Sequence, residues 1–285
     1  MTQTILNFKL KSTNEKLTPR TGVAILGEYL KGMNLENLCN DNLPKAKRNN
    51  GYLAFEFIYP LILMLHSGGR VLDDIREIQV DKALKTLLKI KKIPTPSAYV
   101  KYLRKYGTNG EKGIRKINKR YLKRFLKSIE NEELILDIDA TFIEAHKNTA
   151  KWSYKDAPGY MPMVGHINNG YVIDVDFREG NEAPASKNLE FIKQCVSQLP
   201  LDKKFDRFRA DSASYQADIF NYCEEKNILF TVTAKKNENI FESIKSIKDK
   251  EWQTFSKREK IAEFIHTMQD TDNAFRMIVT DVTIT

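Results

Sequence analysis

At 285 residues and 41% hydrophobic content the chain has apolar material for two domains or one large one, and its composition is that of a globular protein rather than a disordered one. Three widely separated cysteines, Cys39, Cys195 and Cys223, argue against a disulfide framework or a zinc site, and no run reaches the roughly 20 apolar residues of a membrane-spanning helix. The formal net charge of +9 is unevenly spread: between Lys101 and Lys127 eleven Lys or Arg stand against one acid, Glu111. The opening MTQTILNFKLKST has no apolar core of signal-peptide length, so a reducing cytoplasm is the expected compartment.

From Thr21 to about Lys105 the pattern is helical. TGVAILGEYLKG, NLENLCND, GYLAFEFIYPLILMLHSGG and DDIREIQVDKALKTLLKI are each bounded by Gly, Asn or Pro, and predict a small all-helical domain. The most apolar stretch, Leu53 to Leu65, carries Glu56 and Pro60 and reads as a buried core helix. PTPSAYVKYLRKYG predicts a short helix and EKGIRKINKRYLKRFLK another. In the second, Ile114, Ile117, Tyr121, Phe125 and Leu126 form an apolar stripe opposite Arg115, Lys116, Lys119, Arg120, Lys123 and Arg124. Such a face is either a solvated surface or a phosphate-binding one, and the near absence of acids favours the latter. Residues 1–130 are therefore expected to form a helical region whose segment 101–127 contacts DNA.

After Glu133 the texture changes to strands. ELILDIDATFIEAHK comes first, then MPMVGHINN and GYVIDVDFREG around the hairpin signal Asn168-Asn169-Gly170. A helix from about Ala185 to Gln198 follows, then strand FDRFRADS, helix YQADIFNYCEEKN and strand ILFTVTAKK. Three strands, helix, strand, helix, strand is the order of the ribonuclease-H fold. The expected class is thus α/β, a ribonuclease-H-like mixed sheet with helices flanking both faces, over 131–285. From about 250 to 285 two further strands, around the turn at 270–273, read as the start of a β-rich insertion.

In LILDIDAT, Ile135, Asp137 and Asp139 share one side of a strand because side chains alternate. Like charges so close disfavour each other unless a cation lies between them or one is protonated. Asp211 ends FDRFRADS, and the ribonuclease-H order makes the first and fourth strands neighbours, so Asp139 and Asp211 should meet at one edge. Carboxylates from separated elements suit magnesium or manganese, which take hard oxygen ligands and leave positions for water and phosphate. Each aspartate could instead cap a helix or close a loop. Lys147 and Lys151, with Trp152, Tyr154, Lys155 and Tyr160, interleave cations and aromatics in a loop, a pattern that serves either DNA contact or an ordinary surface. His146 and His166, on or near the first two strands, could touch DNA or support a metal ligand, although a lone histidine is more often a hydrogen-bonded structural residue.

Asp139-Ala140-Thr141, inside LDIDATFIEAHKNTAKWSYKDAPGYMPMVGHI, resembles the first catalytic block of the group 1 DDE transposases of bacterial insertion sequences, the branch numbered thirteen-eighty. Arg209-Ala210-Asp211-Ser212 with Tyr215 resembles the second block, and FREGNEAPASKNLEFI the stretch between them. IREIQVDKALKTLL and PTPSAYVKYL are similar to the same branch. The resemblance covers about Thr21 onward. It implies a transposase that cleaves and joins DNA strands at the ends of a mobile element with Mg2+ or Mn2+, acting on terminal repeats and target DNA as a homodimer, with no membrane and no small-molecule cofactor. Asp139 and Asp211 become catalytic metal ligands, with Asp137 the rival for the first place. The family's third carboxylate, a Glu on a later helix, is expected beyond residue 285, so this chain alone is expected to be inactive. The alternative is a non-catalytic DNA-binding remnant.

Overall fold

In the computed structural model, which describes residues 3–5, 8–10, 12–45, 51–168 and 170–282, an antiparallel ribbon comes first, β1 (Gln3–Ile5) with β2 (Phe8–Leu10). This ribbon precedes the stretch from Thr21 onward that the sequence reads as helical. Helices α1 (Thr21–Gly32), α2 (Leu35–Asn42), α3 (Ala54–His66), α4 (Ile75–Val80) and α5 (Lys82–Leu87) follow. The apolar helix α3 buries Phe57, Tyr59, Leu63 and Met64, as its composition requires, and Glu56 accepts the Leu53 N–H at 2.8 Å to cap its start. DDIREIQVDKALKTLLKI does not run as one helix. Asp81 breaks it, because its buried carboxylate accepts the Leu84 N–H at 2.8 Å and the Thr18 hydroxyl at 2.6 Å, with Arg20 at 3.5 Å. Burial opposes ionisation of Asp81, yet those hydrogen bonds and Arg20 hold its carboxyl below the usual range.

Helix α6 (Pro96–Ser128) is a single element of 33 residues where the sequence suggested two. Gly107 and Gly110 cost roughly 1 kcal/mol each in a helix, which weakens it without breaking it, and after Pro96 no proline interrupts it. Its buried side chains include Tyr99, Tyr102, Ile117, Leu122 and Leu126, whereas Ile114, expected in the apolar stripe, is 45% exposed. The chain divides into two compact units, 1–118 and 119–285, with the division inside α6.

The second unit contains β3 (Ile135–Ala140), β4 (Ile143–Glu144), β5 (Lys151–Trp152), β6 (Pro158–Tyr160), β7 (Met163–Ile167), β8 (Tyr171–Asp176), α7 (Asn188–Gln198), β9 (Arg207–Ala210), α8 (Ala217–Glu225), β10 (Leu229–Val232) and α9 (Glu238–Lys245). Strands β11 (Gln253–Thr254), β12 (Glu259–His266) and β13 (Phe275–Val282) close the described chain as an antiparallel sheet, where the sequence suggested a β-rich segment. The 270–273 turn joins β12 to β13, and residues 283–285 lie outside the described set. Strands β4, β6 and β5 make a second small sheet.

The central sheet has the order β10-β9-β3-β7-β8, with β3, β9 and β10 parallel and β7 and β8 antiparallel to their neighbours. This is the strand order expected from the sequence, and it makes the first and fourth strands neighbours. The β7–β8 hairpin turns at Asn168, which takes φ 51°; Asn169 of the hairpin signal lies outside the described residues.

Side chains alternate across this sheet. Leu136, Ile138, Met163, Ile167 and Phe208 point into a core with Leu122 and Leu126 of α6, Phe191 and Cys195 of α7, and Ile219 and Phe220 of α8. Gly165 is needed there, because a Cβ would lie 2.9 Å from Cys195 Sγ and 3.2 Å from Ile173. Helices were expected on both faces, yet α6, α7 and α8 all pack on this one. The opposite face carries Asp137, Asp139 and Arg209 between partly exposed apolar residues, with Val172 40%, Val175 41% and Leu229 60% exposed. The physical reason is visible in β3 itself, whose alternating apolar and acidic residues supply one buried side and not two. Among the described residues no helix is long and apolar enough to cross a membrane.

Candidate active site

The parallel pairing of β3 with β9 runs Ile135 with Arg207, Leu136 with Phe208, Asp137 with Arg209 and Ile138 with Ala210. The next residue on each strand is an aspartate, Asp139 on β3 and Asp211 at the exit of β9. Adjacent strands lie about 4.8 Å apart, and both aspartates continue the face of Asp137 and Arg209, so the two carboxyl-bearing positions are side by side on the open face. They stand at the C-terminal ends of two neighbouring parallel strands, where open α/β sheets gather ligands.

The three aspartates are differently engaged. Asp137 is held by Arg209 through two hydrogen bonds, Nε to Oδ1 at 2.6 Å and Nη2 to Oδ2 at 2.8 Å, a bidentate pair between registered neighbours. That hydrogen bonding holds the Arg209 guanidinium above its ordinary pKa. Asp139 is exposed and, among the described residues, its carboxylate makes no hydrogen bond or ion pair. Asp211 is also exposed; its Oδ1 accepts the Ala213 N–H at 2.9 Å and caps a short 3-10 turn at 212–214, which leaves Oδ2 open. The capping role weighed for these aspartates is thus real for one oxygen of Asp211. His166 stands opposite Asp137 on β7, and His146 pairs with Glu144 at 2.8 Å on the surface.

A buried chain of polar groups supports the turn after Asp211. The Arg178 side chain is almost wholly buried; its Nε donates to Asp176 at 2.9 Å and its Nη1 to the Ser186 carbonyl at 2.7 Å and to Asn188 Oδ1 at 3.3 Å. Asn188 Nδ2 donates in turn to Ser214 Oγ at 3.1 Å, inside the turn that Asp211 caps. Sequence reading missed both Arg178 and Asn188, although they lie in FREGNEAPASKNLEFI; a polar side chain shows its burial only in the folded state. It also missed Arg209 as the partner of Asp137.

Two hard oxygen donors on adjacent strand ends fit part of the shell of a divalent cation. Among the described residues no group of three or more His, Cys, Asp or Glu is gathered for a metal ion. Glu238 and Glu242 lie on α9, with Glu242 paired to Lys245 at 2.8 Å, and Glu263 on β12 pairs with Arg276 at 3.4 Å. The three cysteines are buried thiols in no disulfide, and burial pushes the Cys39 and Cys223 thiols up to about 12.

The basic residues expected at DNA are unequally available. Lys116, Arg120, Lys123 and Arg124 are exposed on α6, whereas Arg115 pairs with Glu111 at 3.1 Å and Lys119 donates to the Ser197 carbonyl at 3.0 Å. Lys147 and Lys151 are exposed in the region of the small β4-β6-β5 sheet. Trp152 there is 65% and Tyr154 58% exposed, and Lys155 lies over the Tyr154 ring at 5.0 Å.

A mixed α/β sheet with two acids at the ends of adjacent parallel strands places the chain in the class of open-sheet α/β proteins. Within that class the chain belongs to the family described as transposase DDE domain group 1, whose sequence model matches residues 5–280. No curated protein matches the chain. Among solved structures it is similar to the catalytic domain of Mos1 mariner transposase, with 15% identity, a TM-score of 0.29, and coverage of 46% of this chain and 68% of that one. It is also similar to piggyBac transposase in a synaptic complex with hairpin DNA, with 10% identity, a TM-score of 0.34, and coverage of 96% and 55%. A third is the Mos1 mariner paired end complex with Mn, with 12% identity, a TM-score of 0.28, and coverage of 81% and 85%. Likenesses this distant carry no weight for activity.

Proposed function

We propose that this chain is a transposase of the bacterial insertion-sequence type, in the branch numbered thirteen-eighty. The reaction of such a transposase is divalent-metal-dependent cleavage and joining of DNA strands at the ends of a mobile element, as a homodimer on terminal repeats and target DNA. The observation that carries the reading is the β3–β9 register, by which Asp139 lies beside Asp211 on an open face, neither of them in an ion pair among the described residues. Family membership supports the same conclusion.

In this reading Asp139 and Asp211 hold Mg2+ or Mn2+. When bound, such ions activate an attacking water or 3′-hydroxyl and stabilise the leaving oxygen. Asp137 does not compete for the metal, because Arg209 already occupies both its oxygens. It tethers β3 to β9 just before the two acids and so fixes their spacing. Arg178, Asn188 and Ser214 hold the turn that presents Asp211. Lys116, Arg120 and Lys123 supply phosphate contacts on α6, and Lys147 and Lys151, with Trp152 nearby, contact the strand close to the reacting phosphate.

Mn2+ binding is the direct test, read by electron paramagnetic resonance of the ion titrated into the protein. Asp139→Asn and Asp211→Asn should each weaken it at least tenfold, while Asp137→Asn should weaken it much less. Equal loss in all three variants, or loss in Asp137→Asn alone, would overturn the assignment. Turnover by this chain on DNA carrying the element's ends would exclude the second reading, a DNA-binding remnant.

A further inference from the structure

Residues 82–92, KALKTLLKIKK, hold five lysines and no acid. They lie outside the basic segment already assigned to phosphate contact. In the first unit Lys82, Lys85, Lys89 and Lys91 line an open hollow of about 580 Å³ together with Lys16, and only a threonine and an isoleucine complete it. Among the described residues none of the five lysines makes an ion pair. The nearby Asp81 is turned away, occupied by Thr18, Arg20 and the Leu84 amide.

The local fold gathers these charges. Lys82, Lys85 and Lys89 recur at i, i+3 and i+7, one side of α5 and its exit. The helix ends with Ile90 N–H on the Lys85 carbonyl at 2.9 Å and Lys89 N–H on the Thr86 carbonyl at 3.2 Å, the two bonds of a Schellman termination. Its left-handed residue is Lys89, with φ 49°, at a position glycine ordinarily fills because it has no Cβ to strain. The turn brings Lys91 back to the same hollow. Cations near a helix C-terminus are favoured by its dipole, which accounts for Lys85 and Lys89. It does not account for Lys82, on the first residue of α5 where the dipole disfavours a cation, or for Lys16 and Lys91.

We propose that the hollow lined by Lys16, Lys82, Lys85, Lys89 and Lys91 is a second phosphate-backbone surface that seats duplex DNA through the first unit, apart from the α6 contacts. The inference rests on DNA being the partner. Membership of the transposase family favours a duplex over a lipid surface, and lysines without arginine or aromatic residues suit phosphate charge rather than base recognition.

The test is fluorescence anisotropy of the whole chain on a duplex of arbitrary sequence across a salt series, with three variants. Lys82→Gln/Lys85→Gln/Lys89→Gln should weaken binding by about tenfold or more at 0.1 M salt and lower the slope of log K against log salt by about 0.9 for each phosphate no longer neutralised. Lys116→Gln/Arg120→Gln/Lys123→Gln should do the same through α6, and the two losses should add. Lys89→Gly should lower the slope while leaving the melting temperature equal or higher, because glycine relieves the left-handed residue. An unchanged slope in both the Lys82/Lys85/Lys89 and Lys89→Gly variants, with a reduced one in the α6 variant, would overturn this proposal and leave the transposase reading intact. An unchanged slope in all three, or no binding by the parent chain, would overturn both. Loss of binding to phosphatidylserine vesicles without loss of DNA binding would reassign the hollow to a membrane and overturn the proposal.

Discussion

The two faces of the central sheet are built from the same strands and do different work. On one, Leu136, Ile138 and Phe208 are almost wholly buried against α6, α7 and α8. On the other, displaced by a single residue along the same backbone, Asp137, Asp139, Arg209 and Asp211 meet solvent or each other. The lesson is a division of labour: apolar burial on one face fixes the register, and the register then places charges on the other that could not hold themselves together in water. Substitutions on the covered face should therefore act on stability, and those on the open face on chemistry.

Phe208→Ala puts that division to its hardest trial. Its side chain is 1% exposed, and truncating a buried phenylalanine should destabilise the chain by about 3–5 kcal/mol, measured by urea unfolding. A loss below about 1 kcal/mol would mean that the covered face does not hold the sheet. Gly165→Ala should cost less, about 1–3 kcal/mol, because the added methyl must push Cys195 and Ile173 aside; a melting curve suffices, and an increase in stability would refute the close packing of α7 on β7. On the open face Asp137→Ala removes a bidentate but partly exposed pair, with side chains 22% and 38% exposed, and solvent screening keeps the expected loss to about 1 kcal/mol or less. Smallest of all is Asp139→Asn, which should change unfolding free energy by less than about 0.5 kcal/mol, since among the described residues that carboxylate has no partner to lose. A variant at Asp139 that unfolds would make it a structural acid and remove the basis for assigning it to a metal.

Several features were legible because they are local. The alternation in LILDIDAT announced a half-buried strand with acids on one side, and the strand-helix sequence after it announced a sheet in which β3 and β9 are neighbours. The hairpin signal ending at Gly170 pointed to β7 and β8. Less legible were the places where two local preferences competed. Gly107 and Gly110 suggested a break in α6, but a glycine only weakens a helix and flanking apolar positions carried it through. Asp81 looked like an ordinary helical residue until Thr18 and Arg20, more than sixty positions away in sequence, met its carboxylate.

The periodicities, the succession of strands and helices, each aspartate block by itself and the basic stretch of α6 were all written in the amino-acid order, because each is read from local stretches of sequence. Which aspartate is free was settled only by folding. Arg209 and Asp137 are 72 residues apart in the chain, and they meet only because the covered face locks β3 and β9 in one register. A slip of one residue would have moved every side chain to the other face and exchanged the core for the acids. The same holds for the lysine hollow, where the left-handed turn at Lys89 brings Lys91 alongside Lys82 and Lys85. A charge count along the chain cannot show convergence of that kind, because it depends on where the backbone turns.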